Sequence, residues 1–254
     1  MRVANVPDVH TIIVVPCYNE AHRLRKDTFR EFIANSHGIT LLFVDDGSQD
    51  ATLAVLEEVR RGYPGRVQVL HKEPNAGKGD AVRQGMLEAL QRPEAAVVGF
   101  WDADLATPLD AIDDLLQILL DRPEIQMVFG SRVKLLGRDV ERRPIRHYLG
   151  RIFATVVSVL LRMPIYDTQC GAKLFRATPE LRQVLSEPFS SRWVFDVELL
   201  ARFIRLHGSV ETCRTTIYEF PLLVWRDVAG SKVKAMDFVR AFRDVGKIYR
   251  RYLA

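Results

Sequence analysis

The sequence predicts an α/β protein with a mostly parallel sheet flanked by helices, and two observations predict it. Short β-branched and apolar runs alternate with helical patterns through the first 130 residues. Polar turns rich in carboxylates directly follow several of those runs. Strand–helix alternation of this kind lays strands in one direction and covers both faces of the sheet with helices.

The elements follow in order. Strands are predicted at Thr11–Val15, Thr40–Val44, Val67–Leu70, Ala95–Trp101 and Gln126–Phe129, with helices near 20–35, 50–62, 79–91 and 108–121. Ser48 and Asp50 suit the N-cap of the second helix, and Pro108 suits the first turn of the fourth. The second half is less regular. A basic loop at 133–146 leads to an apolar helix at 148–162, a strand at Gly171–Phe175 and an amphipathic helix from Trp193 to Leu206. A strand near 213–220, a loop at Val224–Lys232 and a basic helix at 234–251 complete the chain. No linker rich in Gly, Ser or Pro divides it, so 1–254 reads as one domain.

Charge is unevenly placed. The 254 residues carry a formal +4. Residues 132–151 contribute +5 and residues 225–254 another +5, which leaves the rest of the chain at −6. Three widely spaced cysteines exclude a disulfide framework and a cysteine-based zinc site. The six histidines show no ligand spacing. The first ten residues lack the apolar core of a signal peptide. The stretch Ile152–Leu161 is about half of the ~20 residues a spanning helix needs. A cytoplasmic protein, not integral to a membrane, is expected.

Ligands of parallel sheets bind at the carboxyl ends of the strands. There the chain places Pro16-Cys17-Tyr18-Asn19-Glu20, Asp45-Asp46-Gly47-Ser48 and Asp102-Ala103-Asp104. Asp102 and Asp104 are two apart on an extended segment and point the same way. Such a pair suits a divalent cation shared with substrate phosphates; a helix cap at Asp104 and a plain turn at 45–48 are the ordinary alternatives. The loop Asn75-Ala76-Gly77-Lys78-Gly79-Asp80 opens a helix and suits phosphate, or is simply a turn. It lacks the spacing of a P-loop.

The segments IIVVPCYNE, LLFVDDGSQDAT, NAGKGDAVRQG, WDADLAT and GSR, in this order, resemble family 2 inverting glycosyltransferases with the GT-A nucleotide-diphospho-sugar transferase fold. DTQCGAKLF, RWVFDVELL and the loop from Trp225 to Lys232 resemble the dolichyl-phosphate β-glucosyltransferase branch. The resemblance implies a nucleotide-sugar-binding half at about 8–132, an acceptor half at about 133–232 and a basic amphipathic C-terminal helix at 233–254. It implies that Pro16, Tyr18, Glu20, Asp46, Lys78, Asp102 and Ala103 surround the nucleotide sugar. Asp102 and Asp104 would hold Mg²⁺ or Mn²⁺, and Arg132 would meet phosphate. Asp104, Asp196 and Arg132 are the catalytic candidates. Arg132, Arg143, Arg146, Arg226 and Lys232 are candidates for the acceptor phosphate.

The sequence departs from the family pattern twice. Ala106 stands where mannosyl relatives place a metal-binding Gln, which favours UDP-glucose over GDP-mannose as donor; Ala172 replaces the aromatic usual after Cys-Gly. The implied reaction moves glucose from UDP-glucose to a polyprenyl phosphate. GDP-mannose or UDP-N-acetylglucosamine as donor and a soluble acceptor remain open, as does a helix's first turn as the plain role of Asp196. Arginines 132, 138, 142, 143, 146 and 151 with Lys134 suit phosphate. The C-terminal helix, with Val233, Met236, Val239 and Phe242 at helical spacing, reads as a face for an anionic membrane surface or as a helix packed on the body. Trp193 is either core or a sugar platform. A nucleotidyltransferase would need a Gly-rich basic loop where PCYNE stands. A nucleic-acid module is disfavoured by the acidic body and the lack of a matching motif.

Overall fold

Strand β1 (Thr11–Cys17) shows how the sheet is built. Successive side chains of a strand point to opposite faces. Ile12 and Val14 therefore join one apolar cluster while Ile13 and Val15 join another, and all four are fully buried. The computed structural model describes residues 9–141, 144–228 and 235–254, the side chains of 144–147 and 235–239 excepted.

Around β1 lie β2 (Ile39–Asp46), β3 (Val67–Lys72), β4 (Val97–Trp101), β5 (Met127–Ser131), β7 (Ala172–Arg176) and β8 (Ile217–Pro221). The seven strands run in the order β3-β2-β1-β4-β7-β5-β8. All neighbours are parallel except β7, which is antiparallel to both β4 and β5. A separate ribbon pairs β6 (Asp139–Glu141) with β9 (Val224–Arg226).

Helices α1 (Lys26–Asn35), α2 (Thr52–Gly62) and α4 (Ala111–Asp121) bury Phe29, Ile33, Leu56, Val59, Ile112 and Leu115 against one face. The other face is covered by α3 (Lys78–Leu90), α5 (Pro144–Leu161), α6 (Pro179–Val184), α7 (Phe195–His207) and α9 (Ala235–Tyr252). A Cβ on Gly85 of α3 would come within 2.4 Å of Val14 and 2.8 Å of Val44, so a side chain there would hold the helix off the sheet.

Several expectations need correction. The loop 133–146 contains β6, and the loop 224–232 contains β9. Each is three residues long, too short to show periodicity. The expected strand 213–220 begins as helix α8 (Val210–Thr216), because Ser209 caps it by accepting from the N–H groups of Glu211 and Thr212; the β-branched threonines mislead. Helix α6 went unforeseen, although Thr178 caps it and Pro179 opens it. Ser48 is not the N-cap of α2, which starts at Thr52 after Ala51, although Asp50 does accept from the Thr52 N–H at 2.9 Å; Pro108 precedes α4, which starts at Ala111. Among the described residues no helix is long and apolar enough to cross a membrane.

Candidate active site

The turn after β1 and the turn after β2 are stitched together. The N–H of Asn19 donates to Ser48 Oγ at 2.9 Å, that of Glu20 to Thr52 Oγ1 at 2.7 Å, and that of Gln49 to Asn19 Oδ1 at 2.8 Å. Asn19 adopts φ 52°, a left-handed conformation that Asn tolerates better than most residues. Ser48 thus serves the neighbouring loop rather than a helix end.

Asp46 is buried, and its carboxylate organises the loop before α3. It accepts from Gly77 N–H at 2.7 Å, Ala76 N–H at 3.1 Å and the Asn75 side-chain amide at 2.8 Å. From the other side Arg192 donates to the carbonyls of Asn75 and Ala76, both at 2.8 Å. This two-sided clamp presents Lys78, whose Nζ lies 2.5 Å from Asp102 Oδ1. Burial works against the Lys78 charge, but the fields of Asp102 and Asp196 outweigh it and raise its pKa.

Asp102 follows β4 directly. Its N–H donates to the carbonyl of Gly171 at 2.9 Å, and Gly171 leaves the space its carboxylate fills. Asp104 accepts from the N–H of Ala106 at 3.1 Å, in a local turn ahead of α4 rather than as a cap of that helix, and also lines the cavity. Burial, then the charge of Asp102, raises the Asp104 carboxyl pKa. Two carboxylates in this relation call for a cation or for donors.

The cavity has a volume of about 380 Å³. Pro16, Glu20, Lys78, Asp102, Ala103 and Asp104 line it from the first half of the chain. Arg132, Asp167, Gly171, Trp193, Asp196 and Trp225 line it from the second. Arg132 forms a bidentate pair with Asp167, Nε to Oδ2 at 2.5 Å and Nη2 to Oδ1 at 2.7 Å, and its guanidinium lies 5.3 Å from the Trp225 ring centroid. Burial opposes the Arg132 charge and Asp167 more than restores it. Glu219 accepts from the N–H groups of Tyr166 and Asp167 and so fixes that turn. Asp196, in the first turn of α7, is 4% exposed. Burial pushes its carboxyl pKa up against the pull of Lys173 and Lys78.

Eight of the sequence-predicted residues therefore meet at one cavity: Pro16, Glu20, Lys78, Asp102, Ala103, Asp104, Arg132 and Asp196. Tyr18 and Asp46 do not line it, and Asp46 acts through the loop it holds. Arg226 is turned away: it sits on β9 and pairs with Asp139 of β6 at 2.6 Å, because a parallel ribbon sets those two strands side by side. Arg143 and Lys232 lie outside the described residues, as does the side chain of Arg146. Arg151 and Trp193, read from the sequence for phosphate and for core or a sugar platform, line it as well; sequence reasoning missed Arg23, Asp167, Gly171 and Trp225 at the cavity and Lys173 behind it. Asp167, Gly171 and Lys173 stand in the DTQCGAKLF segment that carries the resemblance, which was the available signal.

Comparison with known proteins places this geometry. The model of glycosyl transferase family 2 matches residues 12–182. The chain is 33% identical to the dolichyl-phosphate beta-glucosyltransferase of Drosophila melanogaster, over 97% of this chain and 76% of that protein. It is 30% identical to the one of Saccharomyces cerevisiae, over 97% and 76%. Among solved structures it superposes on glucosyl-3-phosphoglycerate synthase from Mycobacterium tuberculosis in complex with uridine diphosphate, at a TM-score of 0.65 with 18% identity, covering 94% of this chain and 80% of that one. Mannosyl-3-phosphoglycerate synthase from Rubrobacter xylanophilus gives 0.70 with 19% identity, covering 96% and 74%. These likenesses are to the fold. A match spanning both the carboxylates after β4 and the turn before β7 settles the assignment: the chain belongs to glycosyl transferase family 2.

Proposed function

We propose that this enzyme transfers glucose from UDP-glucose to a polyprenyl phosphate of the dolichyl type, with inversion at the anomeric carbon. The observation that carries the proposal is likeness to dolichyl-phosphate beta-glucosyltransferases over 97% of the chain, the acceptor half at 133–232 included. The nucleotide half at 8–132 supplies Lys78 and the Asp102-Ala103-Asp104 segment for the donor diphosphate and ribose, with Pro16 and Glu20 beside them. Asp46 supports that side of the cavity through the loop it holds.

A divalent cation fits the carboxylates of Asp102 and Asp104. They supply two hard oxygens, and their mutual repulsion is relieved by a cation. Among the described residues no cluster of three or more ligating side chains exists, so the remaining ligands would be donor phosphate oxygens and water. Mycobacterial glucosyl-3-phosphoglycerate synthase has been solved with Mn²⁺ or Mg²⁺ and uridine diphosphate, which supports the same choice here. When bound, the cation neutralises charge developing on the leaving diphosphate.

An oxygen of the acceptor phosphate attacks the anomeric carbon from the face opposite the nucleotide. The bond from that carbon to the diphosphate breaks, and UDP leaves with the electron pair. Lys78 faces the charge that grows on the leaving group. A phosphomonoester has its second pKa at roughly 6 and is mostly ionised at pH 7, so no side chain has to remove a proton from it. Arg132 and Arg151, both lining the cavity, orient the phosphate. Loss of about 10³-fold or more in Asp196→Asn with UDP binding intact would instead mark that residue as a general base.

The acceptor's chain needs an apolar exit, and α5 offers one. Gly150, Arg151, Phe153 and Ala154 face the cavity, while Tyr148, Ile152, Val156 and Val159 form an exposed stripe at helical spacing on the same helix. The basic α9 is different. Its Ala241, Val245 and Ile248 are buried and pack on the body; of the face named from the sequence, Val233 and the side chains of Met236 and Val239 lie outside the described residues, and Phe242 is partly exposed. Peripheral membrane contact is thus proposed through α5, with the outward basic residues of α9 near anionic headgroups.

Turnover of a panel of UDP- and GDP-sugars, with and without polyprenyl phosphate and Mn²⁺, tests the donor and acceptor; turnover of GDP-mannose alone overturns the assignment. Flotation with anionic vesicles tests the surface. Ile152→Glu with Val159→Glu is expected to abolish co-flotation, and unchanged binding refutes the role of α5.

A further inference from the structure

Lys173 is the second residue of β7, between β4 and β5, and its side chain is 1% exposed. Its register partners are Phe100 and Phe129, and its Nζ lies 5.6 Å and 5.3 Å from their ring centroids. The ammonium has three donors and meets three oxygens. It donates to the carbonyl of Thr168 at 2.9 Å and that of Cys170 at 2.6 Å, and it lies 3.0 Å from Asp196 Oδ1.

A buried ion pair is costly. Desolvation commonly offsets the Coulomb gain, and apolar residues of similar volume often serve stability as well or better. Lys173 sits between two phenylalanines in the interior, where Leu or Met would pack without that cost. Stability alone therefore does not account for the charge. The three oxygens it holds do. Thr168 and Cys170 flank the turn that ends at Gly171, whose carbonyl takes the N–H of Asp102. Asp196 lines the cavity, within the electrostatic reach of Lys78 and Asp102.

We propose that Lys173 is a positioning residue for sugar transfer: one ammonium locks the Asp196 carboxylate and the 168–171 turn into the relation that the site requires. It touches no substrate and acts through Asp196 and the Asp102 backbone. The inference rests on the reading of the cavity as the transfer site.

The test is a double-mutant cycle of wild type, Lys173→Met, Asp196→Asn and the double variant. Each is assayed for kcat and KM with UDP-glucose and polyprenyl phosphate, for acceptor-free UDP-glucose hydrolysis, and for UDP binding by calorimetry. Displacing a reacting group by about 1 Å costs on the order of 10²-fold. Lys173→Met is expected to lower kcat by about 10- to 100-fold, with the UDP-glucose KM and the UDP affinity within about threefold of wild type. The double variant is expected to lose no more than the worse single, since both changes break one unit.

A Lys173→Met enzyme with wild-type kcat, or losses that multiply in the double variant, overturns the proposal. Should Lys173→Met fail to fold, the double variant lacks the uncompensated buried charge. Its kcat against that of Asp196→Asn then decides: equal values support the proposal and a further tenfold loss refutes it. A wild type that turns over no UDP-glucose brings down the transferase reading itself, which separates the two failures.

Discussion

Adding one methyl group at Gly171 should disable the site by displacing the Asp102 carboxylate. A Cβ built there would lie 2.0 Å from Asp102 Oδ2, 2.1 Å from its Cγ and 2.3 Å from Oδ1. Relief to an ordinary contact of about 3.4 Å needs a displacement of over 1 Å. The backbone at this point is tied, since the Gly171 carbonyl accepts from Asp102 N–H and Trp101 pairs with Ala172 in the β4–β7 ladder. The carboxylate therefore moves first and breaks its 2.5 Å contact with Lys78. A misplacement of that size costs about 10²-fold in rate, which is about 2.7 kcal/mol of transition-state stabilisation. Overpacking adds about 1–3 kcal/mol of lost stability. Gly171→Ala should therefore lower kcat/KM for UDP-glucose about a hundredfold while still unfolding cooperatively in a thermal melt. Activity within threefold of wild type would refute the account of how Asp102 is held.

Asp104→Asn keeps an acceptor for the Ala106 N–H, so the turn survives while a charged oxygen is lost. The Mn²⁺ concentration for half-maximal UDP binding should rise at least about tenfold, read by calorimetry across a metal titration. Arg192→Ala removes two hydrogen bonds from a charged donor to the loop before Lys78. Such bonds are worth about 1.5–3 kcal/mol when sheltered and less at an exposed arginine, so KM for the donor should rise about five- to tenfold with kcat little changed. His71 Nδ1 lies 2.8 Å from the buried Asp45, and that hydrogen bond, against some desolvation, raises the imidazole pKa. A raised pKa means the stabilisation is fully present below the usual His value of about 6.5 and is lost as pH rises through the folded value. The melting-temperature gap between wild type and His71→Gln should therefore be wider at pH 6 than at pH 8.5, and an equal gap refutes the pairing.

The first half of the fold was legible because its strands, the edge strand β3 excepted, are buried on both faces and carry nearly unbroken apolar runs. Residues 41–44 of β2 are an example, and the turn residues that follow such strands announce themselves as polar. Asp102, Asp104 and Lys78 were found for that reason. The second half hides its logic in pairings distant in sequence. Nothing near Arg226 signals that Asp139 will take its charge, 87 residues away. The same holds for Arg132 and Asp167, 35 residues apart. A basic residue read as free for phosphate turns out to be balanced by an acid that only the fold brings close. The C-terminal helix illustrates the opposite ambiguity. An amphipathic pattern states that one face seeks apolar surroundings, and it does not state whether the body or a membrane provides them.

The antiparallel strand β7 explains why so many site residues precede a strand. In a parallel sheet the ligand edge lies beyond the carboxyl ends of the strands, and β1, β2 and β4 obey this rule. A strand inserted in the opposite sense brings its amino end to the same edge. The register Trp101 to Ala172 then sets Gly171 opposite Asp102, and the turn 167–170 comes to lie over the cavity. One reversed strand thus delivers Asp167 to Arg132, the Gly171 gap to the Asp102 carboxylate and the Lys173 ammonium to Asp196. A strand running the other way would carry 167–171 to the far edge of the sheet, and the carboxylates after β4 would lose what holds them. On this topology, substitutions before β7 should damage catalysis, whereas equivalent substitutions before β1 or β2 should damage only folding.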